Sequence, residues 1–167
     1  SIKLRDDLEI NITGIIDRAD TFTDNNGNEY IRVVDYKTGS REFSMVNLYY
    51  GINTQMLLYL IAVCDANKEL RPGGVSYLPA RVTEPVSKRT AAFALLAQDH
   101  IQNGMYVRNK VTDTEMMKYA DNMSALSGAK PEKFIPKDEN NLSEEEFQRL
   151  RTSCLSQTED VLSKLYD

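Results

Sequence analysis

The sequence predicts one α/β domain that ends in a C-terminal helical extension. Three observations predict this class: two β-type runs on either side of a turn sequence, an apolar segment of helical period followed by a third β-type run, and a strong capping signal before a final amphipathic segment. The chain of 167 residues has the length of one ordinary domain and can bury a single core.

The first two strands are predicted to pair as a hairpin. Residues 8–17 and 30–37 are rich in β-branched side chains. The Asp-Asn-Asn-Gly-Asn stretch at 24–28 supplies the turn, which we expect to be a loose loop. If the strands pair near their outer end, Asp17 lies close to Asp35.

A helix is predicted within residues 48–64, followed by a third strand. The positions at helical spacing are Ile52, Gln55, Met56, Tyr59 and Val63. Gln55 and Tyr59 form a polar pair where pure core is expected. Residues 75–79 follow Pro-Gly-Gly and predict a strand that joins the sheet after the helical crossover.

The middle of the chain gives weaker signals. Residues 91–111 contain an alanine-rich stretch and then a short β-type run at 104–107. Residues 116–127 show helical spacing behind Asp113, which suits an N-cap. Residues 131–141 are polar and are interpreted as a linker.

The last helix has the clearest start. Ser143 and Glu146 have the spacing of a capping box, and Leu142 and Phe147 that of a hydrophobic staple. The predicted apolar stripe consists of Phe147, Leu150, Cys154, Val161 and Leu165. We therefore divide the chain into a core at 1–130 and a linker with C-terminal helix at 131–167.

Composition limits the function classes. The net charge of −5 argues against a free-standing nucleic-acid binder, unless bound cations offset the site carboxylates or a larger assembly supplies a basic track. No apolar run is long enough to span a bilayer and no signal peptide is recognisable, so a cytoplasmic setting is expected. The two cysteines, Cys64 and Cys154, form no metal-ligand spacing and no disulfide framework, and we interpret both as small buried apolar residues.

The acidic strand ends carry the candidate chemistry. Because side chains alternate along a strand, Asp35 and Lys37 are expected on one face and Tyr36 on the other. Two neighbouring carboxylates repel each other unless a cation lies between them, and Mg²⁺ or Mn²⁺ takes carboxylate and carbonyl oxygens, here those of Asp17, Asp35 and Tyr36. An ammonium such as that of Lys37 can orient a metal-bound water or stabilise charge on a phosphate. Two acids and a lysine so arranged suit phosphodiester hydrolysis.

Each of these residues also has a structural interpretation. An acid and a lysine two positions apart at a strand end are most often a solvated pair. Gly14 can mark a bulge or a close backbone approach. Gln55 and Tyr59 can be polar residues at the margin of a core helix, and Arg18 and Asp20 can be an exposed ion pair of little energetic weight.

Three motifs in order resemble the PD-(D/E)XK nuclease superfamily, and its RecB-like branch above all. They are Gly-Ile-Ile-Asp-Arg-Ala-Asp at 14–20, Val-Val-Asp-Tyr-Lys-Thr-Gly at 33–39 and Gln-Met-Leu-Leu-Tyr at 55–59. More narrowly, residues 48–55 and 77–81 resemble the C-terminal nuclease domain of the B subunit of AddAB-type ATP-dependent helicase-nucleases.

The resemblance implies a restriction-endonuclease-like mixed β-sheet flanked by helices and Mg²⁺-dependent DNA cleavage in double-strand break repair and recombination. It implies DNA and an AddA-type helicase-nuclease subunit as partners. The implied catalytic residues are Asp17, Asp35 and Lys37, the metal ligands are Asp17, Asp35 and the Tyr36 carbonyl, and the residues that support the site and the DNA backbone are Gln55 and Tyr59. Asp20 matches a second acidic position, to which we assign no metal.

Two features of that branch are missing here. Its members usually have a helix before the first acidic strand that supplies another ligand, and only a short segment precedes Gly14. The B subunits also hold an iron-sulfur cluster, whose ligands this chain lacks. We therefore expect a fragment of a much longer protein that binds metal weakly and cleaves poorly in isolation.

Two other functions remain open at this stage. The first is a catalytically inactive nuclease-fold domain that serves as a DNA-binding or scaffolding module. The second is a stand-alone metal-dependent hydrolase of another phosphodiester. Intact Asp17, Asp35 and Lys37 argue against the first.

Overall fold

A mixed five-stranded sheet forms the centre of the molecule. The computed structural model describes residues 2–5, 8–39, 42–80, 104–107 and 140–166. The sheet order is β3-β4-β5-β6-β7, in which β3/β4 and β5/β6 are antiparallel whereas β4/β5 and β6/β7 are parallel. These strands are β3 (Arg18–Thr23), β4 (Glu29–Lys37), β5 (Leu70–Pro79), β6 (Gly104–Val107) and β7 (Asn141–Leu142). A separate antiparallel ribbon joins β1 (Ile2–Arg5) and β2 (Leu8–Ile10).

In the described part of the chain, three helices cover one face of this sheet. They are α1 (Met45–Tyr49), α2 (Gln55–Ala66) and α3 (Glu144–Tyr166). Alternate side chains of β4, β5 and β6 meet the helices in one apolar core, which includes Val33, Val75, Met105, Leu60 and Leu150. In the described ranges, no helix is both long and apolar enough to cross a membrane.

The prediction for the first long strand is wrong in its bounds. Residues 8–10 pair with β1, residues 11–16 form no strand, and the strand beside β4 starts at Arg18. The turn fixes where the hairpin closes, because Asp24 Oδ1 accepts the N–H groups of Asn26 and Asn28 at 2.9 and 2.8 Å. This closes the hairpin tightly, not as a loose loop, and fixes the register with Thr23 opposite Glu29.

The helix predicted within 48–64 is interrupted. The chain leaves α1 and enters α2 through Gly51 and Asn53, which have φ values of 73° and 60°. Such left-handed conformations end a helix and are easiest for glycine and asparagine. Ile52 is consequently exposed and does not belong to the core stripe.

The later elements fit better, with two corrections. The short strand at 104–107 is confirmed, and β5 includes 75–79 but begins earlier, at Leu70. Asn141 belongs to β7 and not to a linker. The helix expected at 116–127, its cap Asp113 and residues 131–139 of the linker lie outside the described residues.

The capping box of α3 is confirmed. Ser143 N donates to Glu146 Oε2 at 2.7 Å, and Glu146 N donates to Ser143 Oγ at 3.2 Å. The apolar stripe is buried only through Cys154, because Val161 and Leu165 are exposed. The final turns of α3 thus extend beyond the core. Cys154 is buried and Cys64 half-buried, and both are free thiols.

Candidate metal centre

The candidate centre lies at the carboxyl end of β4. Val33 contributes to the core beneath the helices, and strand alternation places Asp35 and Lys37 on that same face. Lys37 Nζ contacts Asp35 Oδ2. The two side chains are only 24% and 14% exposed. The predicted acid and lysine are therefore partly buried neighbours and not a solvated pair.

Asp17 reaches the same strand end from the segment before β3. Its Oδ2 accepts the backbone N–H of Tyr36 at 3.0 Å. Arg18 is opposite Val34 in the register, so Asp17 continues along β4 at the level of residues 35 and 36. Asp17 thus contacts the same strand end that carries Asp35 and Lys37, and the assignment of these three residues to one centre stays a prediction.

The donor set fits a hard divalent cation. Asp35 Oδ2 is buried, and within the described part of the chain the Lys37 ammonium is the group that offsets its charge. Within the described ranges, no group of three or more histidine, cysteine or acidic side chains could hold a metal. Mg²⁺ commonly keeps several waters and takes one or two carboxylates, so an acid pair with a backbone carbonyl matches its needs.

Gln55 and Tyr59 link helix α2 to the segment that carries Asp17. Gln55 Nε2 donates to Tyr59 Oη at 2.9 Å. A Cβ atom added to Gly14 would lie 2.3 Å from that hydroxyl and 2.4 Å from the ring, so a larger residue here requires the Tyr59 side chain or the loop to shift. Gly14 therefore marks a contact between the loop and Tyr59, which is the close backbone approach considered above and not a bulge.

Arg18 and Asp20 form the predicted ion pair, but the Asp20 carboxylate is largely buried and has a second arginine partner. Asp20 Oδ1 accepts from Arg18 Nε at 2.7 Å, and its Oδ2 accepts from Arg32 Nη2 at 2.6 Å. The Asp20 and Arg32 side chains are 13% and 1% exposed. Burial alone would raise the pKa of Asp20, but the hydrogen bonds and charges of both arginines outweigh it and hold that pKa below its ordinary value.

This ion-pair network lies on the other face of the sheet from the candidate centre. Arg32 and Tyr36 alternate with Val33 and Asp35 along β4, and Asp20 is opposite Arg32. Asp20 therefore stabilises the pairing of β3 with β4 and is not part of the acid pair of Asp17 and Asp35.

Tyr77 is a site residue that sequence reasoning missed. It lies beside Asp35 in the parallel register of β4 and β5, and Lys37 Nζ is 5.5 Å above the centre of its ring. Period-two alternation marks Tyr77 as a strand residue but does not reveal which strand lies beside it. Only the resemblance of residues 77–81 singled it out, without a role.

Comparison with known proteins identifies the family. The family model of the PD-(D/E)XK nuclease superfamily matches residues 2–165. The chain is 29% identical over 161 residues to the B subunit of the ATP-dependent helicase/deoxyribonuclease of Alkaliphilus metalliredigens, a match that covers 89% of this chain and 14% of that protein. The protein of the same name from Alkaliphilus oremlandii is 32% identical over 161 residues, again with 89% and 14% covered. That from Symbiobacterium thermophilum is 41% identical over 80 residues, which cover 45% of this chain and 7% of the relative.

The chain thus spans about 14% of the length of the first two relatives. The family match extends over nearly all of its residues. With its mixed five-stranded sheet and helices, which have the restriction-endonuclease-like architecture, this chain belongs to the PD-(D/E)XK nuclease superfamily.

Proposed function

We propose that the chain is the metal-dependent DNA nuclease domain of a B-type helicase-nuclease subunit, acting as an exonuclease in double-strand break repair and recombination. The observation that carries the proposal is the convergence of Asp17, Asp35 and Lys37 at the end of β4. Nucleases of this superfamily generally use divalent metals such as Mg²⁺. The relatives named above are deoxyribonuclease subunits, which supports DNA as the substrate and a helicase subunit of the AddA type as the partner.

The proposed roles follow from the positions of the groups. Asp17 and Asp35 would hold Mg²⁺ or Mn²⁺ together with the Tyr36 carbonyl, and the bound cation would make its water more acidic and polarise the phosphate. The Lys37 ammonium orients the attacking water or stabilises the negative charge that develops on the phosphate.

Gln55 and Tyr59 have a supporting role in the proposal. Their hydrogen bond holds Tyr59 against Gly14, three residues before Asp17, and so helps to place that carboxylate. The same polar pair is proposed to contact the DNA backbone. An iron-sulfur cluster is proposed only for a longer protein, because the two cysteines here, Cys64 and Cys154, have neither the number nor the spacing of its ligands.

Cleavage of single-stranded DNA tests the assignment. The chain is compared with Asp35→Asn and Lys37→Ala, each in Mg²⁺ and in EDTA. We expect cleavage only with Mg²⁺ and a loss of about 100-fold or more in each variant. Asp65→Asn is the matched control, because Asp65 is an exposed acid paired with Arg151 and has no proposed role.

Equal activity in all the proteins would remove the enzymatic assignment. If DNA binding persisted without any cleavage, the chain would be the scaffolding module instead. Cleavage of another phosphodiester in preference to DNA would favour the stand-alone hydrolase.

A further inference from the structure

Tyr77 is a buried residue next to the candidate centre. Its side chain is 7% exposed and belongs to the core between β4, β5 and the helices. The Phe43 ring packs against it with centroids 6.3 Å apart and planes tilted by 49°. The register places Tyr77 beside Asp35, and its ring lies beneath the Lys37 ammonium. The Tyr77 ring is thus packed against Phe43 and presents a face to the Lys37 ammonium.

The ring contact is a second interaction of Lys37, and it matters because its first partner, Asp35, is also a proposed metal ligand. Lys37 Nζ contacts Asp35 Oδ2, the buried oxygen that is proposed to face the metal. A divalent cation at this oxygen competes with the ammonium for the same negative charge and repels it. A second carboxylate would attract the cation as well, whereas the face of an aromatic ring attracts an ammonium without offering an oxygen ligand.

We propose that Tyr77 is a positioning residue that holds the Lys37 ammonium over the centre when Asp35 is engaged by the metal. The proposal rests on the proposed function, since it assigns Lys37 a place in the reaction. Tyr77 acts through Lys37 and does not itself touch the phosphate.

The contact is first tested without any cleavage. The Tyr77 ring current should shift the ε-CH₂ resonance of Lys37 upfield in ¹H–¹³C NMR spectra of the chain. We expect the shift to persist when Mg²⁺ is added, to remain in Tyr77→Phe and to disappear in Tyr77→Leu. Loss of the shift on adding Mg²⁺ to the unmodified chain would overturn the proposal without any variant.

Kinetics then test the consequence for cleavage of single-stranded DNA. Tyr77→Phe keeps the ring face and should retain kcat within about twofold, whereas Tyr77→Leu should lower kcat by about 3- to 30-fold with little change in KM. In a Lys37→Ala background, Tyr77→Leu should have no further effect, because the lysine through which it acts is gone.

Two kinetic results would contradict the proposal. One is an unchanged kcat in Tyr77→Leu. The other is the same loss in the Lys37→Ala background, which would show a structural effect independent of the lysine. If the unmodified chain did not cleave at all while the NMR shift persisted in Mg²⁺, the proposed nuclease function would fail and the placement of the ammonium by Tyr77 would stand.

Discussion

Substitution of Asp20 tests whether this acid stabilises the fold or belongs with Asp17 and Asp35 in the candidate metal centre. Asp20 bonds to Arg32, whose side chain is almost fully buried, and to the half-exposed Arg18. Asp20→Ala leaves the Arg32 charge buried without its carboxylate. Loss of one partner from a buried ion pair costs about 3 to 5 kcal/mol, a large share of the roughly 5 to 15 kcal/mol by which domains are stable.

An exposed pair in the same chain gives the scale. Asp65 and Arg151 are 42% and 33% exposed and form an ion pair of 2.8 Å. Pairs of this kind contribute about 0.2 to 1 kcal/mol. For a domain of this size, each kcal/mol shifts Tm by about 2 to 4 °C, so Asp20→Ala should lower Tm by about 6 to 20 °C and Asp65→Ala by at most about 4 °C.

The free energy of unfolding of both variants is measured by urea denaturation, from the midpoints at equal m values. Arg32→Met in the Asp20→Ala background should recover much of the stability, because it removes the buried guanidinium whose Asp20 carboxylate is gone. Equal losses in Asp20→Ala and Asp65→Ala would refute the reasoning. So would an Asp20→Asn protein that remains stable but loses its response to Mg²⁺, since Asp20 would then belong with the metal ligands.

Three further predictions concern the loop, the last helix and pH. Gly14→Ala should lower kcat by about 100-fold, because its Cβ atom would clash with Tyr59 and displace the segment that carries Asp17. The control is Gly39→Ala, which should cleave DNA normally because no atom lies within 4 Å of the added Cβ. Equal cleavage rates in the two variants would refute the clash. Ser143→Ala should destabilise the chain by about 0.5 to 2 kcal/mol in urea through loss of the cap on α3, and Ser156→Ala, on the exposed face of that helix, should cost nothing. Folding lowers the pKa of Asp20 from its ordinary value of 3.8. The stability that the Asp20 carboxylate contributes is therefore present above pH 3.8 and is lost as the pH falls through the lower folded-state pKa. In an Asp20→Asn protein, the free energy of unfolding should fall less in acid than in the unmodified chain.

Local rules were sufficient for the parts of the site that depend on one strand or one helix end. Alternation along β4 placed Asp35 and Lys37 together, and the capping box located the start of α3. Both rely on residues close in sequence, for which spacing translates directly into geometry.

Pairings between distant strands could not be predicted in this way. The Asp20 and Arg32 pair depends on a register that the turn at residues 24–28 sets, and it was not predicted because the strand opposite Arg32 was placed at residues 8–17. Tyr77 lies beside Asp35 only because β5 returns parallel to β4 after a helical crossover. A one-residue slip in either pairing would reverse the faces, so residue types alone cannot identify these neighbours.

The charge of the centre, and not that of the whole chain, decides whether a phosphodiester can approach it. Asp17, Asp35 and Lys37 carry −1, −1 and +1, which sum to −1, so the three groups alone repel DNA. With a proposed divalent cation the sum becomes +1, and the local field then favours a phosphate in spite of the net charge of −5. An acidic composition is therefore compatible with a nuclease whose cation is bound before or together with DNA, because the bound cation offsets the site carboxylates.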